Sequence, residues 1–313
     1  MKAVRSQEGG VAVVDVDEPP GLGDEILDMR ATGVCGSDLM YVQLGSTDIL
    51  GHEVAGIRQD GTPVVVEAVY GCMECAQCLR GAYNLCPTHH TRALGIGADG
   101  GMVERWRAPT ERIVPIPEHL DVRDACLVEP TSVSWHALRL AAAGPGKRVA
   151  VVGAGALGLL AVAGARRMGA EEVALEARHP HQREAGERLG ARIGTSGAYD
   201  VVIEAAGSQE SLARCVELVG PRGVISVLGV HLGHVQLDWH PLFFHEASVI
   251  PSLGYCTHDG VREFEEAAAM LADEPDIART VITHRFAIED AGEAFRVASE
   301  RASGAIRVVI EPA

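Results

Sequence analysis

The rhythm of apolar and polar positions divides this chain in two. From residue 11 to about 114, brief Val-rich runs at 11–14, 64–69 and 112–117 alternate with clusters of Gly, Pro and Asp. Short strands separated by turns give that pattern, so a β-rich, barrel-like first unit is expected. Pro130-Thr131-Ser132 then opens a helical stretch to Ala143, with Val133, Ala137, Leu138 and Ala141 at helix spacing, and Gly144-Pro145-Gly146 ends it. From Arg148 the pattern becomes continuous apolar runs at 149–152, 173–175, 201–203 and 224–228, with helical stretches between them. Strands apolar on both faces, alternating with helices, predict a parallel sheet covered on both sides. A short helix at 289–300 and a strand at 305–310 close the sequence.

The first of those strands runs into a glycine pattern. Val149-Ala150-Val151-Val152 is followed by Gly153-Ala154-Gly155-Ala156-Leu157-Gly158 and an Ala-rich helix. A G-x-G-x-x-G turn between a strand and a helix lets the backbone approach a pyrophosphate and presents helix N–H groups to it. Dinucleotide binding through Gly153, Gly155, Ala156, Leu157 and Gly158 is therefore expected. About twenty residues on, an acid would bind the adenosine ribose. If the next strand ends at Leu175, Glu176 serves NAD. Counted back from the helix that ends at Leu189-Gly190-Ala191, the ribose position is Ala177, and Arg178 and His179 then meet the 2′-phosphate of NADP. NADP is favoured over NAD.

Cysteine spacing adds metal chemistry. Cys72, Cys75, Cys78 and Cys86 crowd into fifteen residues, a spacing suited to one tetrahedral, structural zinc. Cys35, His52 and Glu129, with Glu53 as a further candidate, offer thiolate, imidazole and carboxylate. Three protein ligands of those kinds leave a position open, as a catalytic zinc requires.

Composition narrows the possible partners. The 313 residues are 47% hydrophobic, 4% aromatic and 22% charged, with a formal net charge of −16. That balance opposes binding to nucleic acid or anionic membranes. No charged and apolar leader opens at Met1-Lys2-Ala3-Val4-Arg5 and no apolar run approaches ~18 residues, so neither export nor membrane insertion is expected, and the compartment expected is cytoplasmic.

Taken in order, Gly33-Val34-Cys35-Gly36-Ser37-Asp38, Gly51-His52-Glu53, the four-cysteine lobe, Leu127-Val128-Glu129-Pro130, the glycine turn and Gly304-Ala305-Ile306-Arg307-Val308-Val309 resemble the zinc-dependent medium-chain dehydrogenase/reductase family. Glu129 followed by Pro130-Thr131-Ser132 resembles its sorbitol, threonine and glucose dehydrogenase branch. The resemblance implies an α/β fold: a GroES-like β-barrel catalytic domain over 1–128, a Rossmann doubly wound parallel sheet over 129–276, and a segment 277–313 returning to the catalytic domain. It implies zinc-dependent hydride transfer between a secondary alcohol, such as a polyol or sugar, and NADP or NAD, in a homodimer or homotetramer. It further implies that Cys35, His52 and Glu129 or Glu53 hold the catalytic zinc, and that Ser37 takes the substrate's proton. Asp38 would orient His52, and Arg307 would reach the cofactor pyrophosphate.

Two departures from that pattern stand out. Met40 occupies the place of a relay histidine and cannot carry a proton. Segment 41–50 is short, which implies a reshaped substrate pocket. The rival readings are a zinc-independent reductase of the same fold, a catalytically inactive dinucleotide-binding protein, and a zinc-ribbon interaction module.

Overall fold

The computed structural model of the chain describes residues 1–91, 93–300 and 303–312. It divides into two units, one comprising Met1–Glu129 with Cys256–Ala313 and the other Pro130–Tyr255. The return to the first unit comes at Cys256, well before the expected 277. The helices Glu263–Asp273 and Asp276–Val281 lead straight into strand Ile282–Ala287 of the first unit's sheet, so they fold with it.

In the first unit the long strand Glu25–Val34 is the organiser. It pairs antiparallel with Glu53–Arg58 on one side and with Arg307–Glu311 on the other, and Arg105–Ala108 lies along its first half. Pro63–Val66 and Ile113–Pro115 extend the sheet beyond Glu53–Arg58, and Ile282–Ala287 extends it beyond Arg307–Glu311. Leu27, Met29, Val54, Val64, Val66 and Trp106 pack into one buried cluster on this sheet. The register does the positioning. Gly33 faces Glu53 and Val34 faces Val308, so the residue after the strand, Cys35, lies between the His52-Glu53 corner and Arg307.

The second unit is a parallel six-stranded sheet. Its spatial order is Arg192–Ile193, Glu172–Glu176, Arg148–Val152, Tyr199–Glu204, Val219–Val227 and Ser248–Pro251. Numbered within the unit, that is 3-2-1-4-5-6, the dinucleotide-binding order. Ala150, Val152, Ala174, Tyr199, Val202 and Ile225 form its buried interior. Helix Ala156–Arg167 starts directly at the glycine turn, with Gly155 as its N-cap. Gly153 has φ +108°, open to glycine and strained for other residues. A Cβ on Gly158 would sit 1.9 Å from the Gly153 carbonyl oxygen, so helix and turn touch backbone to backbone. Among the described residues, no helix is long and apolar enough to cross a membrane.

That contact makes Gly158→Ala a sharp probe of the turn. Overpacking of this kind costs ~1–3 kcal/mol, so the melting temperature should fall by roughly 2–10 °C. Thermal unfolding that matches the parent chain would show that the turn can widen without cost.

Candidate active site

The cysteine lobe is built locally. Cys72, Cys75, Cys78 and Cys86 bring their sulfurs within 4.8 Å of one another. Four thiolates around a zinc at about 2.3 Å stand ~3.8 Å apart, so the cluster needs little adjustment to close on the ion. Backbone N–H groups already point at the sulfurs: Cys72 N donates to Cys86 Sγ at 3.3 Å and Cys75 N to Cys72 Sγ at 3.3 Å. The lobe is tied down by a buried carboxylate. Tyr83, between Cys78 and Cys86, donates its hydroxyl to Glu67 Oε1 at 2.5 Å, and Arg262 Nη1 lies 3.5 Å from Glu67 Oε2. Burial pushes the Glu67 carboxyl up to about 7, against the pull of Tyr83 and Arg262.

The second centre is assembled from distant segments. Cys35 caps helix Gly36–Gln43, where its N–H donates to Asp38 Oδ2 at 2.8 Å. The ligand atoms of Cys35, His52 and Glu53 lie within 4.8 Å of one another. Ser37 Oγ is 3.2 Å from His52 Nε2, and Asp38 Oδ1 is 3.3 Å from His52 Nδ1, so the ring is held from both sides. Glu53 is fully buried, and a Cβ on Gly33 would sit 2.0 Å from its Oε2, so only glycine there leaves room for the carboxylate.

The electrostatics at this point favour a cation. Burial opposes a charged His52, yet Asp38 and Cys35 push its pKa well up. Glu53 is pushed up by burial and pulled down by Arg307 and His52. Glu129, buried in the first turn of helix Val128–Leu140, is raised to about 8 by burial and then by Glu53, with His52 pulling the other way. Cys35 and Glu53, with Asp38 and Glu129 close enough to act on them, outnumber the positive groups His52 and Arg307.

Two profiles of known domains fit this architecture. That of the glucose dehydrogenase C-terminus matches residues 122–311, and that of the alcohol dehydrogenase GroES-like domain matches residues 21–118. The chain belongs to the zinc-dependent medium-chain dehydrogenase/reductase family. L-threonine 3-dehydrogenase of Pyrococcus horikoshii is 31% identical over 278 residues, covering 77% of this chain and 78% of that protein. Galactitol-1-phosphate dehydrogenase of Escherichia coli superposes with a TM-score of 0.90 at 25% identity over 100% of both chains. A Sinorhizobium meliloti 1021 protein solved with NADP bound superposes with a TM-score of 0.86 at 28% identity, covering 99% of both chains. As a member of this family, the chain is an oxidoreductase that works with zinc and NAD or NADP on a small-molecule alcohol or ketone.

The residues present fit those groups. At the metal centre, buried Glu53 Oε2 has no hydrogen-bond partner, as expected of a donor set arranged for an ion. At the glycine turn, a Cβ on Gly155 would meet nothing within 4 Å, which leaves open space at the N-terminus of a twelve-residue helix.

Several expected residues stand elsewhere than expected. Glu129 is buried and feels the charges of His52 and Glu53 but lies outside the converging trio, in which Glu53 supplies the carboxylate. Arg307 is engaged inside its own unit. Its Nη1 lies 2.9 Å from Glu53 Oε1 and donates to the Val34 carbonyl at 2.8 Å, because strand register puts it opposite Cys35. Strand Glu172–Glu176 ends one residue beyond Leu175. Ala177 follows it half-buried, Arg178 is exposed, and His179 is the N-cap of helix Pro180–Arg188, its ring stacked on His181. Arg183, which no motif singled out, donates to the Ala177 carbonyl at 3.1 Å and the Arg178 carbonyl at 3.3 Å.

Glu67 gives the site a pH signature. Its folded pKa of about 7 exceeds its ordinary value of 4.5, so the stabilising effect of holding its proton is complete below ~4.5 and is lost as the pH rises through 7. The loss is at most ~3 kcal/mol. Melting temperatures measured from pH 5 to 8 should fall less steeply in Glu67→Gln than in the parent chain. Parallel profiles would show that Tyr83 and Arg262 keep the carboxylate ionised in the fold.

Proposed function

We propose that this enzyme oxidises a secondary alcohol of a polyol, sugar or related polar molecule, reversibly, with NADP in preference to NAD. The observation that carries this is the convergence of Cys35, His52 and Glu53, with Ser37 Oγ 3.2 Å from His52 Nε2. Cys35, His52 and Glu53 would hold the catalytic zinc, with Glu129 as the remaining carboxylate, and Cys72, Cys75, Cys78 and Cys86 the structural one. When bound, zinc supplies Lewis-acid polarisation of the substrate hydroxyl and the nicotinamide accepts hydride.

The protein's own residues manage the proton. Ser37 is half-exposed and its hydroxyl both accepts and donates, so it takes the substrate proton and passes it on. Asp38 fixes the His52 ring against which Ser37 rests. Met40, on the same helix, has no proton to exchange, so the proton leaves Ser37 for solvent.

The substrate class is supported by the threonine and galactitol 1-phosphate dehydrogenases among the relatives. The coenzyme preference is supported by Ala177 at the ribose position and exposed Arg178 beside it. A cytoplasmic setting is supported by eight cysteines, none of them joined in a disulfide. A homodimer or homotetramer is supported by the open edge strand Ser248–Pro251 and by Trp239, Phe243 and Phe244, each more than 60% exposed on the preceding helix.

Reduced-nicotinamide absorbance with a panel of polyols, sugars and hydroxy amino acids tests this reading. Turnover should disappear on chelation and return with zinc. Ser37→Ala should lower kcat by roughly 10²-fold or more with KM little changed. Full activity in that variant would remove Ser37 from the chemistry. Light scattering should give a multiple of the chain mass that drops to one in a Phe243→Asp, Phe244→Asp double variant. A monomeric parent chain would refute the assembly.

A further inference from the structure

The end of the second strand of the parallel sheet holds an arrangement that the glycine motif did not predict. Glu176 ends strand Glu172–Glu176, and its carbonyl accepts from Gly153 N at 3.1 Å. The backbone of Glu176 thus touches the glycine turn, one residue before Ala177 at the ribose position, which makes Glu176 the nearest acid to that position along the chain. Its carboxylate already has partners, however. Arg214 Nε donates to Glu176 Oε1 at 2.9 Å, Arg214 Nη2 lies 2.9 Å from the same oxygen, and the Thr195 hydroxyl donates to it as well. Arg214 Nη2 also donates to Thr195 Oγ1 at 2.9 Å, which closes a ring of three side chains. The three come from different places: Glu176 from its strand, Thr195 from the loop after strand Arg192–Ile193, and Arg214 from helix Gln209–Leu218. The helix residue Glu217 holds the other side of the guanidinium, with Arg214 Nη1 donating to Glu217 Oε2 at 2.7 Å.

Charge counts here because the two coenzymes differ by one phosphate on the ribose. A free carboxylate at this point accepts the two hydroxyls of NAD and repels the 2′-phosphate of NADP. A carboxylate tied to a guanidinium does neither well: here Oε1 is engaged by Arg214 and Thr195, which orients the group toward them and balances its charge. Around it stand exposed Arg178, and Arg183 anchored on the Ala177 and Arg178 carbonyls, with exposed Glu210 as the opposing charge near Arg178.

We infer that Arg214 sets the coenzyme preference of this enzyme by holding Glu176 out of the ribose site. It is a positioning residue that acts through Glu176 rather than by touching the coenzyme. The direction of the preference rests on the NADP reading above. The role of Arg214 is tested by how the preference moves, whatever its starting value.

The experiment compares kcat/KM for NADP and NAD, together with melting temperature, in the parent enzyme and in Arg214→Leu, Arg214→Lys, Glu176→Gln and the Arg214→Leu, Glu176→Gln double variant. Arg214→Leu should shift the NADP-to-NAD ratio toward NAD by roughly tenfold or more, the scale of one strong charge contact, and mainly through KM. Arg214→Lys should keep most of the parent ratio, and the double variant should restore it, because no carboxylate is left to release. A folded Arg214→Leu with an unchanged ratio, or a double variant shifted as far as the single one, would overturn the inference. Should Arg214→Leu fail to fold, Glu176→Gln still decides: its ratio must not move toward NAD. A parent enzyme that prefers NAD would refute the NADP reading alone, and the response of the ratio to Arg214→Leu would still judge the role of Arg214.

Discussion

The register between three strands is the constraint on which the metal centre depends. Strand Glu25–Val34 is held on one side by Glu53–Arg58 and on the other by Arg307–Glu311, and the pairing of Gly33 with Glu53 and of Val34 with Val308 fixes what meets at its end. A slip of one residue in either ladder would turn Glu53 or Arg307 to the opposite face of the sheet, because side chains alternate along a strand. Buried Leu27, Met29, Val54 and Val308 resist such a slip, since it would carry them out of the core. The hydrophobic packing of the sheet and the charge arrangement of the site are therefore one specification read on two faces.

The two metal centres represent opposite ways of gathering ligands. The four cysteines lie within fifteen residues, so the lobe pays little chain entropy to converge and asks the rest of the fold only for the anchor at Glu67. The other centre draws on Cys35 and on the His52-Glu53 corner, with Arg307 braced against Glu53 from the far end of the sequence. Buried charge of that kind persists only where the surrounding fold supplies partners on every side.

This difference explains what the sequence made legible. The glycine turn and the cysteine lobe are local, so spacing alone revealed them, and the parallel sheet followed from apolar runs alternating with helices. Glu25–Val34 went unnamed as a strand, since Glu25, Asp28, Arg30, Ala31 and Gly33 interrupt the β-branched and aromatic character that marks one. Arg307 showed only as part of a terminal motif. Its partner Glu53 is more than 250 residues away, and nothing in local pattern announces which side chains a sheet register will oppose. Arg214 is the same case on a smaller scale: its spacing from Glu176 carries no motif, and only the folded turn brings them together. The early return at Cys256 was hidden because helices such as Glu263–Asp273 look alike in sequence whichever unit they pack upon.

One feature of the connectivity bears on how the molecule is made. The Val34 carbonyl receives its hydrogen bond from a guanidinium 273 residues later, and the strand that carries it is the last in the chain. During synthesis the second unit is complete in sequence before that strand leaves the ribosome, whereas the amino-terminal sheet must wait with the second half of one flank of its central strand unpaired. An interrupted translation product would therefore emerge with a finished nucleotide fold and an exposed edge at the metal centre, a natural target for chaperones and proteases.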